Sequence, residues 1–354
     1  MEHPEPKVLI VGAGAIGASL ASWLAPFHRQ LFITDVAEVR NAVKTRGIVV
    51  YRIDDPVKSR ETVRIRVIDQ LQDLADADIV VLAVKNYSLA AVAQQIHGQY
   101  GNRPIVVSLA NGVDNQHILP KFFSRVIYGV VGYNAVRDAE FEVGYQKKGP
   151  LVIGTPNDSL QNELLMVRNL LNQACKTLIS HRLQDAVHSK IVTNLANALD
   201  TLVGRGFAPV SDFGVYQHLL SNIWWEGVQV IQAAGYYEYK IDGLPTFLQI
   251  RLARLMPGWI ARPLFKRKLK SLIMTSMTQD VFLRHTQFTE LESLTGYIVR
   301  LAAEHHVAVP YNDAIYRLAR KYFRPGFVPM RCEDVLAEVE REKHIAHQGA
   351  GAMP

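Results

Sequence analysis

The chain has 354 residues, 49% of them hydrophobic and 20% charged, with a formal net charge of +6; this suits a globular protein of about two domains with ample core material. No apolar run approaches the ~18 to 20 residues of a bilayer span, and the N-terminus enters a strand pattern without a basic leader and cleavage site, so a soluble, cytoplasmic protein is expected. Cys175 and Cys332 are too few and too far apart for a disulfide framework or a multi-cysteine metal site.

The first stretch, KVLIVGAGAIGASLASWLA, is an apolar run from Val8 to Val11, then Gly12, Gly14 and Gly17 in G-x-G-x-x-G spacing, then a helical pattern. Between a strand and a helix that spacing serves a sharp turn at Gly12, close approach of a pyrophosphate at Gly14 and close helix–strand packing at Gly17. The helix N-terminus, Ala15 and Ile16 included, offers free N–H groups to phosphate. The next strand, LFITD, ends in Asp35, placed to accept hydrogen bonds from an adenosine ribose and to repel a 2′-phosphate, which points to NAD over NADP. Arg40, Lys44 and Arg46 on the following helix oppose that preference, and Asp35 could instead cap the helix.

Apolar strands recur at Ala77 to Lys85 and Arg103 to Gly112, separated by an alanine-rich helical stretch, an alternation that predicts a parallel doubly wound sheet. Lys85 and Asn111 fall at the carboxyl ends of these strands, where such sheets bind ligands. From Ser124 to Gly154 short β runs with glycine predict an antiparallel extension of the sheet. A helix over 157–176 and a last strand, TLIS, then complete a first domain spanning 1–181.

From Leu183 helical periodicity dominates, with segments at 183–204, 214–235, 268–282 and 288–306, so an all-α second domain is expected over 182–325. It carries a basic insertion at 243–275 and is followed by a C-terminal extension, 326–354. On the first of these helices Lys190, Asn194, Asn197 and Thr201 form one stripe opposite Ile191, Val192, Leu195, Leu199, Leu202 and Val203. A plain solvated face is the simple reading, although asparagine is a poor helix former for that purpose. Glu290 shares a face with Leu294, Tyr297, Ile298 and Leu301, which turns a carboxylate inward at a cost unless it is paired. Lys190 would be such a partner, and opposite charge would hold both ionised. A first-turn glutamate favoured by the helix dipole is the alternative.

In their order and spacing VGAGAIG at Val11 to Gly17, AVKNY around Lys85, ANGVDN around Asn111, SKIVTN with Lys190 and Asn194, SMTQD from Ser276, TELESLTG with Glu290 and HHVAVP ending at Pro310 resemble the ketopantoate reductases (2-dehydropantoate 2-reductases). The resemblance runs from about Lys7 to about Arg320. It implies a Rossmann-type domain followed by a helical domain like the C-terminal domain of 6-phosphogluconate dehydrogenase, with the site in the cleft between them. The implied activity is NAD(P)H-dependent reduction of a 2-oxo acid, either 2-dehydropantoate in pantothenate biosynthesis or a related substrate. Lys190 would be the general acid and Glu290 would hold the substrate hydroxyl. Ser276 and Asn194 would bind substrate, while Lys85 and Asn111 would lie between nicotinamide and substrate. A positioned ammonium suits this chemistry, because hydride addition builds negative charge on the ketone oxygen.

Several positions depart from the family pattern. Its second asparagine, eight residues after the lysine, is Ala198 here, with Asn197 one residue earlier as a substitute substrate ligand. The second-strand end, commonly Arg in the NADP-using family, is Asp35; two extra residues separate Ser276 from Glu290, and Glu292 and Thr295 replace an Asp and an Asn. The segment 251–270 carries seven Lys and Arg residues and no acidic one, which reads first as an extra helical hairpin, then as a lid, then as a membrane-surface contact. Nothing resembles a nucleic-acid-binding module. A small 2-oxo acid is therefore the expected partner, with homodimerisation left open. Rival functions are an NAD-linked dehydrogenase for another oxo or imino acid, and a catalytically inactive nucleotide-binding regulatory protein.

Overall fold

The apolar runs VLIV, IVVL and IVVS are buried along their whole length, as befits strands of a parallel sheet covered on both faces. The computed structural model describes residues 5–57, 59–138, 142–256, 274–286 and 288–350. The described residues divide into two units, one of Met1–Val187 with Ile241–Gly243, the other of His188–Lys240 with Leu244–Pro354.

In the first unit β1 (Val8–Val11), β2 (Leu31–Thr34), β5 (Arg66–Val67), β6 (Ile79–Leu82), β7 (Ile105–Ser108), β8 (Val126–Val131), β11 (Leu151–Gly154) and β12 (Thr177–Ile179) form one sheet in the order β12-β11-β8-β7-β6-β1-β2-β5. From β5 to β8 all neighbours are parallel, which is the doubly wound dinucleotide-binding order, with its switch point between β1 and β6. The antiparallel extension expected after Ser124 is only partly so. β8 continues the parallel sheet and β11 turns antiparallel to it, whereas β9 (Ala135–Arg137) and β10 (Glu142–Tyr145) leave for a second sheet with β3 (Ile48–Arg52) and β4 (Glu61–Val63). Trp23, on helix α1 (Ala15–Leu24), packs against Tyr133 and Tyr145 with ring centroids 5.1 and 5.0 Å away, an anchor for that small sheet. Helix α6 (Leu183–Asn194) begins in the first unit, where Leu183 packs over Gly154.

The second unit contains α7 (Ala196–Leu202), α8 (Phe213–Ala233), α9 (Phe247–Leu255), α10 (Ser276–Phe282), α11 (Tyr297–Glu304), α12 (Pro310–Tyr322) and α13 (Cys332–Ala350). Asp212 caps α8 by accepting hydrogen bonds from Gly214 N and Val215 N. The C-terminal extension belongs to this unit: Cys332, Val335 and Val339 are buried along one face of α13, and Cys332 N donates to Ser211 Oγ at 2.8 Å. Of the basic segment 251–270, residues 257–270 lie outside the described residues, so the hairpin, lid and membrane readings fall there. Among the described residues no helix is long and apolar enough to cross a membrane, and no group of three or more His, Cys, Asp or Glu could hold a metal ion.

Glu226, buried on α8, completes another helix. Its carboxylate accepts hydrogen bonds from Tyr311 N, Asn312 N and Asn312 Nδ2 at 3.0, 2.9 and 2.8 Å, so two of the free N–H groups at the start of α12 are satisfied. Burial outweighs these donors and raises the carboxyl to about 7 from its ordinary 4.5. The folded state therefore holds a proton that the unfolded state releases, and stability falls as pH rises from about 4.5 to about 7 on account of this group. Replacing Glu226 by Ala should cost about 2–4 kcal/mol, by leaving buried donors without an acceptor, and should remove that part of the pH dependence. Chemical denaturation at pH 5 and pH 8 measures both effects.

Candidate active site

The three glycines of the first turn are required for different reasons. Gly12 has φ +103°, and a methyl group there would lie 2.8 Å from the Ala83 carbonyl oxygen. At Gly17 a methyl group would lie 1.8 Å from the Gly12 carbonyl oxygen, so helix and turn pack too closely for any side chain. Gly14 is the opposite case: its φ of −68° is open to any residue, and a methyl group would meet nothing within 4 Å. The fold itself does not require a glycine there. A pyrophosphate at the N-terminus of α1 does, so the space fits the dinucleotide that the spacing suggests.

Asp35 braces this turn. Its carboxylate accepts hydrogen bonds from Ala13 N and Val36 N. The N-cap of α2 (Ala37–Arg46) is Val36, so helix capping is not the role of Asp35. Each oxygen retains a lone pair for a ribose hydroxyl.

Lys85 and Asn111 lie just past the ends of β6 and β7, neighbouring strands paired as far as Leu82 and Ser108. Lys85 is the N-cap of α3 (Asn86–Tyr100), and both residues are half-buried. Two further asparagines clasp the second strand end. Asn86 Nδ2 donates to the Asn111 carbonyl at 2.6 Å, and Asn115 Nδ2 to the Ala110 carbonyl at 3.0 Å. An asparagine directly after Lys85 was the visible signal for the first clasp; its partner was not visible.

In the second unit the stripe of Lys190, Asn194, Asn197 and Thr201 is broken. α6 ends at Asn194, α7 begins at Ala196, and Leu195 N donates to both Ile191 O and Val192 O. Thr193 stands at the break: its hydroxyl donates to Lys190 O, a back-bond that bends helices, and its carbonyl accepts from Trp224 Nε1 at 3.2 Å. Asn194 and Asn197 remain half-exposed while Ala198 is fully buried, so the polar side of α7 is reached from 197 and not from 198. Thr201 is buried, with its hydroxyl donating to Asn197 O and 3.1 Å from Thr278 Oγ1. That contact ties the stripe to α10, whose first residue is Ser276.

Glu290 is buried, as its apolar neighbours imply, but it stands ahead of the helix and not in its first turn. The expected helix over 288–306 begins as a π turn, Glu292–Gly296, with Gly296 N donating to Leu291 O, before α11. Tyr297 OH lies 2.7 Å from His188 Nε2, and His188 stacks on Tyr236 with ring centroids 3.5 Å apart. The segment after Glu290 is thus tied to the helix that carries Lys190. Glu292 is exposed and accepts a hydrogen bond from Tyr316 OH at 2.7 Å, with Arg300 and Arg320 beside it. Among the described residues Lys190 forms no ion pair with Glu290. Burial is what acts on its ammonium, pushing it down to about 8.

A phosphate-ready glycine turn at a sheet switch point, followed by a helical unit with a desolvated lysine, defines a nicotinamide-dependent oxidoreductase of the two-domain type. The chain belongs to the ketopantoate reductase PanE/ApbA family: the model for that family matches residues 8–158, and the model for its C-terminal domain matches 182–323. It is thereby an oxidoreductase acting on CH–OH groups. The 2-dehydropantoate 2-reductase of Pyrococcus abyssi is 23% identical over 318 residues, covering 89% of this chain and 97% of that one. The fold is shared with D-mandelate dehydrogenase in its complex with NADH and anilino(oxo)acetate, at TM-score 0.72, 18% identity and coverage of 95% and 99%. It is shared equally with the 2-dehydropantoate 2-reductase of Geobacter metallireducens, at TM-score 0.72, 17% identity and coverage of 89% and 99%.

The glycines separate fold from binding. Gly14→Ala should change stability by less than about 1 kcal/mol while abolishing tight dinucleotide binding, whereas Gly17→Ala should fail to give a stably folded first unit. Thermal melts and dinucleotide titrations of both variants check this.

Proposed function

We propose that the chain reduces the ketone of a 2-oxo acid to a 2-hydroxy acid with a reduced nicotinamide dinucleotide. The observation that carries this reading is Lys190, an ammonium that burial lowers to about 8, on the helix that carries Asn194 and just ahead of the one that carries Asn197. The dinucleotide, when bound, supplies the hydride. Gly12, Gly14, Ala15, Ile16 and Gly17 would cradle its phosphates, Asp35 its adenosine ribose, and Lys85 and Asn111 would serve its nicotinamide end. Lys190 stabilises the developing alkoxide and gives it a proton, which an ammonium near pH 8 releases more readily than one at 10.5. Glu290 holds the new hydroxyl, while Ser276, Asn194, Asn197 and Asn111 bind the rest of the substrate.

NADH is the preferred cofactor on the strength of Asp35. 2-Dehydropantoate is the first candidate substrate. A related 2-oxo acid is the second reading, favoured by the burial of Ala198 where the family pattern has an asparagine, and by the engagement of Glu292 with Tyr316.

Oxidation of NADH and NADPH with a panel of 2-oxo acids should show turnover that Lys190→Ala reduces by at least about 100-fold. Equal activity in that variant, or no turnover with any oxo acid, sinks the reading. Because the ammonium is the acid, kcat for reduction should decline as pH rises through about 8, and Lys190→Arg should abolish that decline whatever activity remains. Direct titration should give tighter binding of NADH than of NADPH; the reverse order would remove Asp35 from its assigned role.

A further inference from the structure

The helix after Asp35 carries cations that the proposed reaction does not use, and one carboxylate holds two of them. Arg40 Nη1 donates to the Asp35 carbonyl at 2.6 Å, which seats its guanidinium at the end of β2, while its Nε lies 3.6 Å from Asp69 Oδ1. Lys44, one turn further along α2, donates from Nζ to Asp69 Oδ2. Asp69 is itself placed by the backbone. Asp69 N and Gln70 N donate to Asp73 Oδ2 at 3.0 and 2.9 Å, and Thr34 Oγ1 donates to Ile68 O at 3.1 Å, which holds this turn beside the end of β2.

A dinucleotide bound at this strand end directs its adenosine ribose here, and domains of this type that accept a 2′-phosphate do so with a nearby arginine. Two suitable cations are present, and both face Asp69. We propose that Asp69 is a specificity-determining residue: it occupies Arg40 and Lys44 and adds negative charge beside Asp35, which excludes a 2′-phosphate. The inference rests on the assignment of this unit as a nicotinamide dinucleotide site. Asp69 differs from Asp35 in that its carboxylate contacts side-chain cations and not the glycine turn, so it can be altered without disturbing the phosphate cradle.

The test is calorimetric titration of the full-length protein with NADH, NADPH and 2′,5′-ADP, together with KM for each dinucleotide. Asp69→Asn should tighten NADPH and 2′,5′-ADP by about tenfold while leaving NADH within about twofold. The gain should shrink as salt is raised, since exposed charges are screened. Adding Lys44→Gln to Asp69→Asn should cancel the gain, which distinguishes release of the cations from a general rearrangement. If the unaltered protein binds neither dinucleotide, the site assignment fails and the inference with it. If it binds dinucleotide and Asp69→Asn leaves the NADPH to NADH ratio unchanged, the assignment stands and the role of Asp69 is overturned.

Discussion

Where α1 passes over the glycine turn there is no room for a single methyl group, and the ligand-facing edge of the first unit is organised around that contact. With the helix so close, its first N–H groups stand directly above the turn. Gly12 N donates to Thr34 O, Ala83 N to Val11 O and Leu109 N to Leu82 O, so the ends of β2, β1, β6 and β7 are stepped together at one edge. Asp35, Lys85 and Asn111 inherit their positions from this stepping. Relaxing the close contact at Gly17 would shift the frame that places them, which makes a residue with no side chain more constraining here than any polar group.

In the second unit burial lowers the ammonium of one lysine, Lys190, to about 8. Pairing with a carboxylate would hold its proton firmly, whereas burial without an ion pair loosens it. Among the described residues burial is what acts on the Lys190 ammonium. The helix bearing Lys190 is secured by other residues, through His188 with Tyr297 toward the segment after Glu290 and through Thr201 with Thr278 toward the segment that begins at Ser276. Position and charge state are thus controlled by separate sets of contacts.

What could be read in the sequence was local. The glycine spacing, the apolar runs of β1, β6 and β7, and the helical period over Lys190 and Asn194 each lie within a short window. Longer-range features were hidden. β10 finds its parallel partner in β3, far back in the chain, and nothing in EVGY names that partner. At the break at Leu195 Trp224 reaches the Thr193 carbonyl from far along the chain, and the π turn after Glu290 replaces what periodicity renders as uninterrupted helix. Asp69 was unmarked because its meaning comes from two cations across space, Arg40 and Lys44, both noted as arguments for the other cofactor.

The capping of α12 by Glu226 bears on how the helical unit assembles. The donors lie 85 and 86 residues beyond the acceptor, and the Ser211 hydroxyl awaits Cys332 N across a separation of 121. Helices are otherwise built from neighbours in sequence, so a helical unit would ordinarily be expected to fold quickly from local pieces. Here the starts of two late helices are completed by acceptors far earlier in the chain, and closing such long loops carries an entropic cost before it is rewarded. The helical unit is therefore tied together by contacts of long sequence separation at the starts of α12 and α13, and not by local helix pairing alone.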